Sequence, residues 1–226
     1  ESLVGALESA NEDGVPFEKF EVFNRMTKAG SERAAENITT MTGIETDVDV
    51  NRMRFVPIDG VPAAVGDRRY VGTVMEYEGT PSGYLAILFD RPSAEAVVDA
   101  LVPVETDGEW SEMERSAMKE LGNILTSGFI DGWANVLESS IDHSPPTFVS
   151  DMGSAIMSPL VGRLARTQEH AFLLDSTIRT EGDGAFHCDL FALPDEAELR
   201  EVLSDLRVER ADRTHVDPGE VFYAVR

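Results

Sequence analysis

Leu88-Phe89-Asp90-Arg91-Pro92-Ser93 and Leu190-Phe191-Ala192-Leu193-Pro194-Asp195 close two stretches of sequence that read alike. Ahead of the first lie Arg69 to Tyr77 and Gly83 to Phe89, two strand-like runs around the turn Glu78-Gly79-Thr80-Pro81-Ser82. That is the pattern of a β-hairpin. Ahead of the second lie His170 to Thr180 and Gly184 to Leu193, around Glu181-Gly182-Asp183. A short helix is predicted after each: Pro92 to Leu101, with Ser93 as N-cap, and Pro194-Asp195 through Leu206.

Further upstream the same order holds. Phe20, Phe23, Met26, Ala34, Ile38 and Met41 recur at helical steps between Pro16 and Thr42, and Gly43 follows as a stop. Asp47 to Ile58 reads as a strand. In the second half, Glu109 to Glu138 reads as a long helix carrying Met113, Met118, Leu121, Ile124, Phe129 and Trp133. Pro145 and Pro146 then precede a short extended segment, Thr147 to Ser150. Gly153 to Arg166 is predicted as an extra helix, entered through Ser154.

The expected class is therefore α+β. A duplicated helix-strand-hairpin-helix unit, with three strands per half, predicts one six-stranded sheet covered by long helices around a pseudo-two-fold axis. At roughly 150 residues per domain, the 226 residues suit one large domain or two small ones. The matching halves favour a single fused domain, with copies at about 10–103 and about 109–206. Val104 to Gly108 is the junction, and residues 207–226 form a C-terminal extension in which Phe222, Tyr223 and Val225 hint at a docked strand.

Composition narrows the function. Asp and Glu number 42 against 19 Lys and Arg, giving a net charge of -23. Such a surface repels phosphate backbones and anionic lipid, so neither nucleic acid nor membrane is expected as a partner. The acidic excess is spread along the chain, and only Lys19, Lys28 and Lys119 are lysines. A uniformly acidic surface of this kind suits a salty cytoplasm, where concentrated cations screen self-repulsion. The single cysteine, Cys188, excludes an internal disulfide and a cysteine-based zinc cluster, and it reads as a small core residue. No apolar run approaches the ~18 residues of a membrane span, and Glu1 to Glu12 lack the pattern of a signal peptide. A cytoplasmic location is expected.

Chemistry concentrates on the long second helix. Ser116, Glu120 and Asn123 are spaced by four and three residues, which puts them on one helical face. After Asn123 come 22 residues and then Pro146, so the pattern is Ser-x3-Glu-x2-Asn-x22-Pro around Lys119-Glu120-Leu121-Gly122-Asn123-Ile124. A Glu and an Asn alone on a helix are usually a solvated face, and Asn is a poor helix former. Other candidates are weaker. His143, His170, His187 and His215 form no i,i+4 pair and no ligand-spaced cluster, so no bound metal is expected. Gly182-Asp183-Gly184 reads as a hairpin turn, since no GxxxxGK[ST] string is present.

The full motif resembles that of the CheC/CheX/FliY phosphatases of chemotaxis, whose signature is Asp or Ser, x3, Glu, x2, Asn, x22, Pro. Every position is matched, and the resemblance extends over residues 10 to 206. It implies an enzyme that hydrolyses the aspartyl phosphate of the response regulator CheY. It further implies that Asn123 positions the attacking water and Glu120 pairs with the regulator's active-site lysine. Gly122 would let another backbone approach, Pro146 would shape the turn beside the site, and Ser116 would be a peripheral partner contact. No cofactor is expected on this chain, because the regulator supplies its own Mg²⁺. CheC relatives also partner with the deamidase CheD, so an adaptor or CheY-P sink is the alternative. A switch component like FliY would need a further domain, for which these 226 residues leave no room.

An offset of 95 residues aligns the first half with the second, pairing Met26 with Leu121, Ile38 with Trp133 and Met41 with Val136. Glu120 then falls on Arg25, Asn123 on Lys28 and Pro146 on Asn51, so the first copy lacks both functional residue types. A register pairing Glu21 and Asn24 with the motif misplaces the later apolar positions. One working site is expected, in the second half. The salt-adapted reading of the composition carries its own test: the thermal unfolding midpoint should rise from low salt to multimolar KCl.

Overall fold

The computed structural model describes residues 17–101, 109–165, 169–180 and 184–205. The first half runs α1 (Phe17–Thr42), β1 (Thr46–Pro57), a 3-10 turn (Ile58–Gly60), α2 (Val61–Val65), β2 (Arg69–Gly79), β3 (Gly83–Asp90) and α3 (Arg91–Leu101). The second runs α4 (Glu112–Leu137), β4 (Ile141–His143), β5 (Thr147–Met152), α5 (Gly153–Leu164), β6 (His170–Thr180), β7 (Gly184–Pro194) and α6 (Glu196–Asp205). The expected junction at Val104 to Gly108, the Glu181-Gly182-Asp183 turn and the 207–226 extension lie outside the described residues.

The strands form one antiparallel sheet in the order β1-β6-β7-β3-β2-β4, with β5 also on β2. One edge of β2 is taken by β3, so β4 and β5 share the other, on Tyr77–Gly79 and Arg69–Val74 respectively. The six predicted ranks are present, with the outermost divided in two. Halves exchange strands: β1 pairs with the second hairpin, and β4 and β5 with the first. The two hairpins meet along β3 and β7, where the pseudo-two-fold axis passes.

The symmetry extends to an irregularity. Val50 faces Ser176 and Arg52 faces Asp175, which leaves Asn51 as an extra residue in β1. His143 faces Tyr77 and Thr147 faces Val74, so Ser144, Pro145 and Pro146 span the places of Met75 and Glu76. Each outer strand thus carries a one-residue bulge, and the 95-residue offset superposes Asn51 on Pro146. In the second half the bulge breaks the strand, since proline has no N–H for the ladder. Ser144 closes the gap: its N–H donates to the Glu76 carbonyl (2.8 Å) and its Oγ accepts from the Glu76 N–H (3.0 Å).

Helices cover both faces. One core joins Met26, Ala34 and Ile38 of α1, Val97 and Val98 of α3, Leu125, Phe129 and Ile130 of α4 and Leu199 of α6 to Val71, Ile87, Phe89 and Leu190 of the sheet. On the opposite face Val61 and Val65 of α2 and Ile156, Met157 and Leu160 of α5 cover Tyr70, Ala86, Leu88 and Phe191. Successive buried residues of β3 fall alternately in the two cores, Leu85, Ile87 and Phe89 in the first and Ala86 and Leu88 in the second, as the pleat dictates. At the α1–α4 crossing, a Cβ on Gly128 would lie 2.3 Å from Ala34 Cα, and one on Gly132 would lie 2.5 Å from Gly30 N. The two helices touch backbone to backbone there.

Four local expectations are corrected. Asp90, not Ser93, caps α3: its Oδ1 accepts from the Ser93 N–H (2.9 Å), as Asp195 Oδ1 accepts from the Glu198 N–H (3.0 Å) at α6. The prolines in the two matching strings are therefore not equivalent. Pro92 lies inside α3, whereas Pro194 ends β7. Helix α5 is not an addition to the second half, since α2 is its short counterpart and packs against it across the axis; five residues are too few to show a period. It is capped at Met152 and not at Ser154, whose hydroxyl donates to Asp67 Oδ1 (2.8 Å).

Beneath α2 and α5 the buried Tyr70 hydroxyl donates to Asp189 Oδ2 (3.0 Å) and accepts from Arg68 Nη2 (2.9 Å). Burial, followed by the neighbouring Asp189 charge, pushes Tyr70 up to about 12. Burial also raises Tyr77. An unfolded tyrosine ionises near ~10, so above that pH the unfolded chain gives up protons that the folded chain keeps, and stability falls. The thermal midpoint should therefore drop as pH rises from about 10 to about 12. Tyr70→Phe should lower the midpoint at neutral pH but flatten that decline, as a pH series of melting curves would show.

Candidate functional site

Helix α4 starts on a reciprocal cap. Ser111 Oγ accepts from the Glu114 N–H (3.3 Å), and Glu114 Oε2 accepts from the Ser111 N–H (2.6 Å). Such a box satisfies two otherwise orphaned donors. The same end is held against β5: Trp110 and Phe148 pack with ring centroids 6.2 Å apart, and Arg115 stacks over Phe148 while its Nε donates to the Trp110 carbonyl (2.9 Å). The first turns of α4 consequently lie along the broken outer rank of the sheet.

Between them runs an open groove of about 510 Å³, lined by Ser116, Lys119, Glu120 and Asn123 of α4 and by His143, Ser144, Pro145 and Pro146 of the β4–β5 break. Ser116, Glu120, Asn123 and Pro146, separated by up to thirty positions in sequence, thus share one concavity. Ser116, Lys119 and Glu120 are exposed, and Asn123 is half-buried with its position open to the groove. A carboxylate and a carboxamide one turn apart can together bind a cation and orient a water. The amide carbonyl accepts while its NH₂ donates, so one side chain can address a water and an anionic oxygen at once.

Gly122 lies elsewhere. It is buried on the opposite side of α4, where an added Cβ would stand 2.1 Å from Thr73 Oγ1 and 2.9 Å from Thr73 Cβ. The expectation that it admits a partner's backbone is corrected: it admits strand β2. Lack of a side chain at 122 lets α4 settle onto the sheet, which sets the depth at which Asn123 sits.

His143 was not among the expected site residues, yet it joins the groove wall. Its Nε2 is 2.8 Å from Ser127 Oγ, one turn beyond Asn123 on α4, and its Nδ1 is 3.2 Å from the Ser144 carbonyl. Proximity to Pro145-Pro146 was the available signal, since a double proline at a strand edge marks a break whose flanks are re-aimed. Another grouping was also invisible in the spacing. Glu169, His170 and Glu196 bring ligand-type atoms within 4.8 Å of one another, although Glu196 Oε2 already accepts from the Glu169 N–H (3.0 Å). In the first half, Lys28 is exposed with Nζ 3.9 Å from Glu32, and Asn51 Nδ2 donates to Thr177 Oγ1 (2.8 Å). No helix among the described residues is long and apolar enough to cross a membrane.

A doubled helix-and-sheet scaffold, with a carboxylate and a carboxamide displayed at one broken edge, defines the class of protein. The model of the CheC-like family matches residues 113–150, the span from the start of α4 into β5. CheC1 of Halobacterium salinarum is 32% identical over 183 residues, covering 80% of this chain and 92% of that protein. The CheY-P phosphatase CheC of Bacillus subtilis is 23% identical over 191 residues, covering 81% and 91%. FliY of Thermotoga maritima shares the fold, with a TM-score of 0.66 at 17% identity over 84% of this chain and 96% of that one. So does the FliM middle domain of H. pylori, at 0.59 and 10% identity over 84% and 99%. The chain belongs to the CheC-like family.

The packing of Gly122 is open to test. Gly122→Ala should destabilise the fold by about 1–3 kcal/mol, the usual cost of overpacking. Adding Thr73→Ala should recover part of the loss, because it removes the two nearest atoms, Oγ1 and Cγ2, but keeps the Thr73 Cβ. Urea unfolding of the two single variants and the double variant measures both effects.

Proposed function

We propose that the chain hydrolyses the aspartyl phosphate of a CheY-type response regulator. The observation that carries this reading is the groove itself. It gathers Glu120, Asn123 and Pro146 on an open surface that a folded partner can reach. The CheC family assignment and the Bacillus subtilis relative's designation as a CheY-P phosphatase support it.

In this reading Asn123 enters the partner's active site and holds a water in line with phosphorus. The water oxygen bonds to phosphorus as the bond from phosphorus to the aspartate oxygen breaks. Inorganic phosphate and a free aspartate carboxylate result, and the water's protons pass to phosphate and solvent. Positioning of this sort contributes up to roughly 7–11 kcal/mol in ideal cases, and an oriented water beside a GTPase glutamine is the analogous device. Glu120 pairs with the regulator's lysine, a charge-assisted contact that strengthens as the interface sheds water. Ser116 and Pro146 border the contact. The Mg²⁺ that neutralises the phosphoryl group belongs to the regulator.

Only the second half serves as the site in this proposal. Arg25 and Lys28 stand at the related helix positions of the first half and offer neither the carboxylate nor the amide, and the amide of Asn51, at the place of Pro146, is bonded to Thr177 Oγ1. The enzyme acts in the cytoplasm, where its substrate resides.

Decay of phosphorylated CheY, followed with and without the protein at matched salt, tests the assignment. Asn123→Ala should abolish at least nine-tenths of the acceleration. Glu120→Ala should raise the half-saturating regulator concentration several-fold. An adaptor or sink would instead bind CheD or phosphorylated CheY and leave the phosphate's lifetime unshortened.

A further inference from the structure

The groove has two walls with different owners. One is the α4 face carrying Glu120 and Asn123, and the other is the Ser144-Pro145-Pro146 bulge. The bulge has lost ladder hydrogen bonds to its prolines and hangs on β2 through Ser144 and Glu76. His143, the last residue of β4, reaches across to α4. A carbonyl oxygen only accepts, so the contact with Ser144 O places the proton of a neutral imidazole on Nδ1. Nε2 then offers its lone pair, and the Ser127 hydroxyl donates to it at 2.8 Å. Ser127 follows Asn123 by one turn on the same side of α4, so the bond spans the groove beside the amide.

From this geometry we infer that His143 is a positioning residue: it clamps the proline bulge to α4 through Ser127 and so sets the distance between Asn123 and the Pro146 wall. The inference rests on the phosphatase reading, because the width of the groove matters only if Asn123 must enter a partner's site in register. In-line attack is sensitive to displacement, and an error of about 1 Å can cost a hundredfold in rate. A proline-rich bulge, tied to β2 at Ser144 and with no N–H to donate from either proline, is the wall most able to drift. At the related place in the first half the offset puts Val48 opposite Glu32, a pair that cannot form such a bond, and that half lacks the motif as well.

Single-turnover and saturation kinetics on phosphorylated regulator test the clamp, with His143→Ala, His143→Gln, Ser127→Ala and the His143→Ala/Ser127→Ala double variant. Each alanine variant should turn over about tenfold more slowly, with the half-saturating regulator concentration little changed. The double variant should be no slower than either single one, since both break the same bond. His143→Gln should recover part of the rate, because its amide oxygen can accept from Ser127. Binding of regulator loaded with beryllofluoride, a stable phosphoryl mimic, should stay within about twofold, and circular dichroism confirms folding. Ser127→Ala removes one atom and keeps the chain folded even where His143→Ala does not. Full turnover in Ser127→Ala, or additive losses in the double variant, overturns the clamp while leaving the phosphatase reading intact. A wild-type protein that fails to shorten the phosphate's lifetime overturns both.

Discussion

The rest of the structure depends on backbone hydrogen bonds that cross between the halves. The outer strands β1 and β4–β5 find their ladders on the hairpin of the opposite repeat. Backbone donors and acceptors left unpaired in a covered sheet are costly, so neither repeat can complete its sheet alone. The helices follow the same rule. Helices α1 and α4 cross at Gly30, Ala34, Gly128 and Gly132, where side chains large enough to separate them are absent.

This exchange explains why a repeat without the motif is still needed. The motif-bearing face of α4 belongs to the second repeat, but what it rests on belongs to the first. Thr73 of β2 receives Gly122, and Glu76 of β2 holds the Ser144 bulge on both its N–H and its carbonyl. Arg25 and Lys28, at the related positions of α1, are not among the residues that line the groove.

Much of this was legible in the sequence. The two hairpins, the long helices and the duplication follow from patterns of two and 3.6, turn residues and a repeated string, and local chemistry dictates each of them. The spacing of Ser116, Glu120 and Asn123 needs nothing beyond helical geometry. What escaped was non-local or short. Helix α2 is too brief to show a period, and its partner α5 looked like an addition for that reason. The cap at Asp90 was hidden by a proline two residues later that drew the helix start forward. Gly122 could be recognised as a site of close approach, but which body approaches is decided by tertiary packing, and it is Thr73. His143 and Ser127, sixteen residues apart on a strand and a helix, meet only once the bulge has turned the strand.

The interlocked sheet also bears on ancestry. Cut between the repeats, each piece would expose a first strand and a hairpin edge that complement the same surfaces on an identical piece. Two unlinked copies would then rebuild the sheet as a strand-swapped homodimer with two equal grooves. Joining them in one polypeptide makes that association permanent and independent of concentration, and it frees each copy to diverge while the shared sheet stays complete.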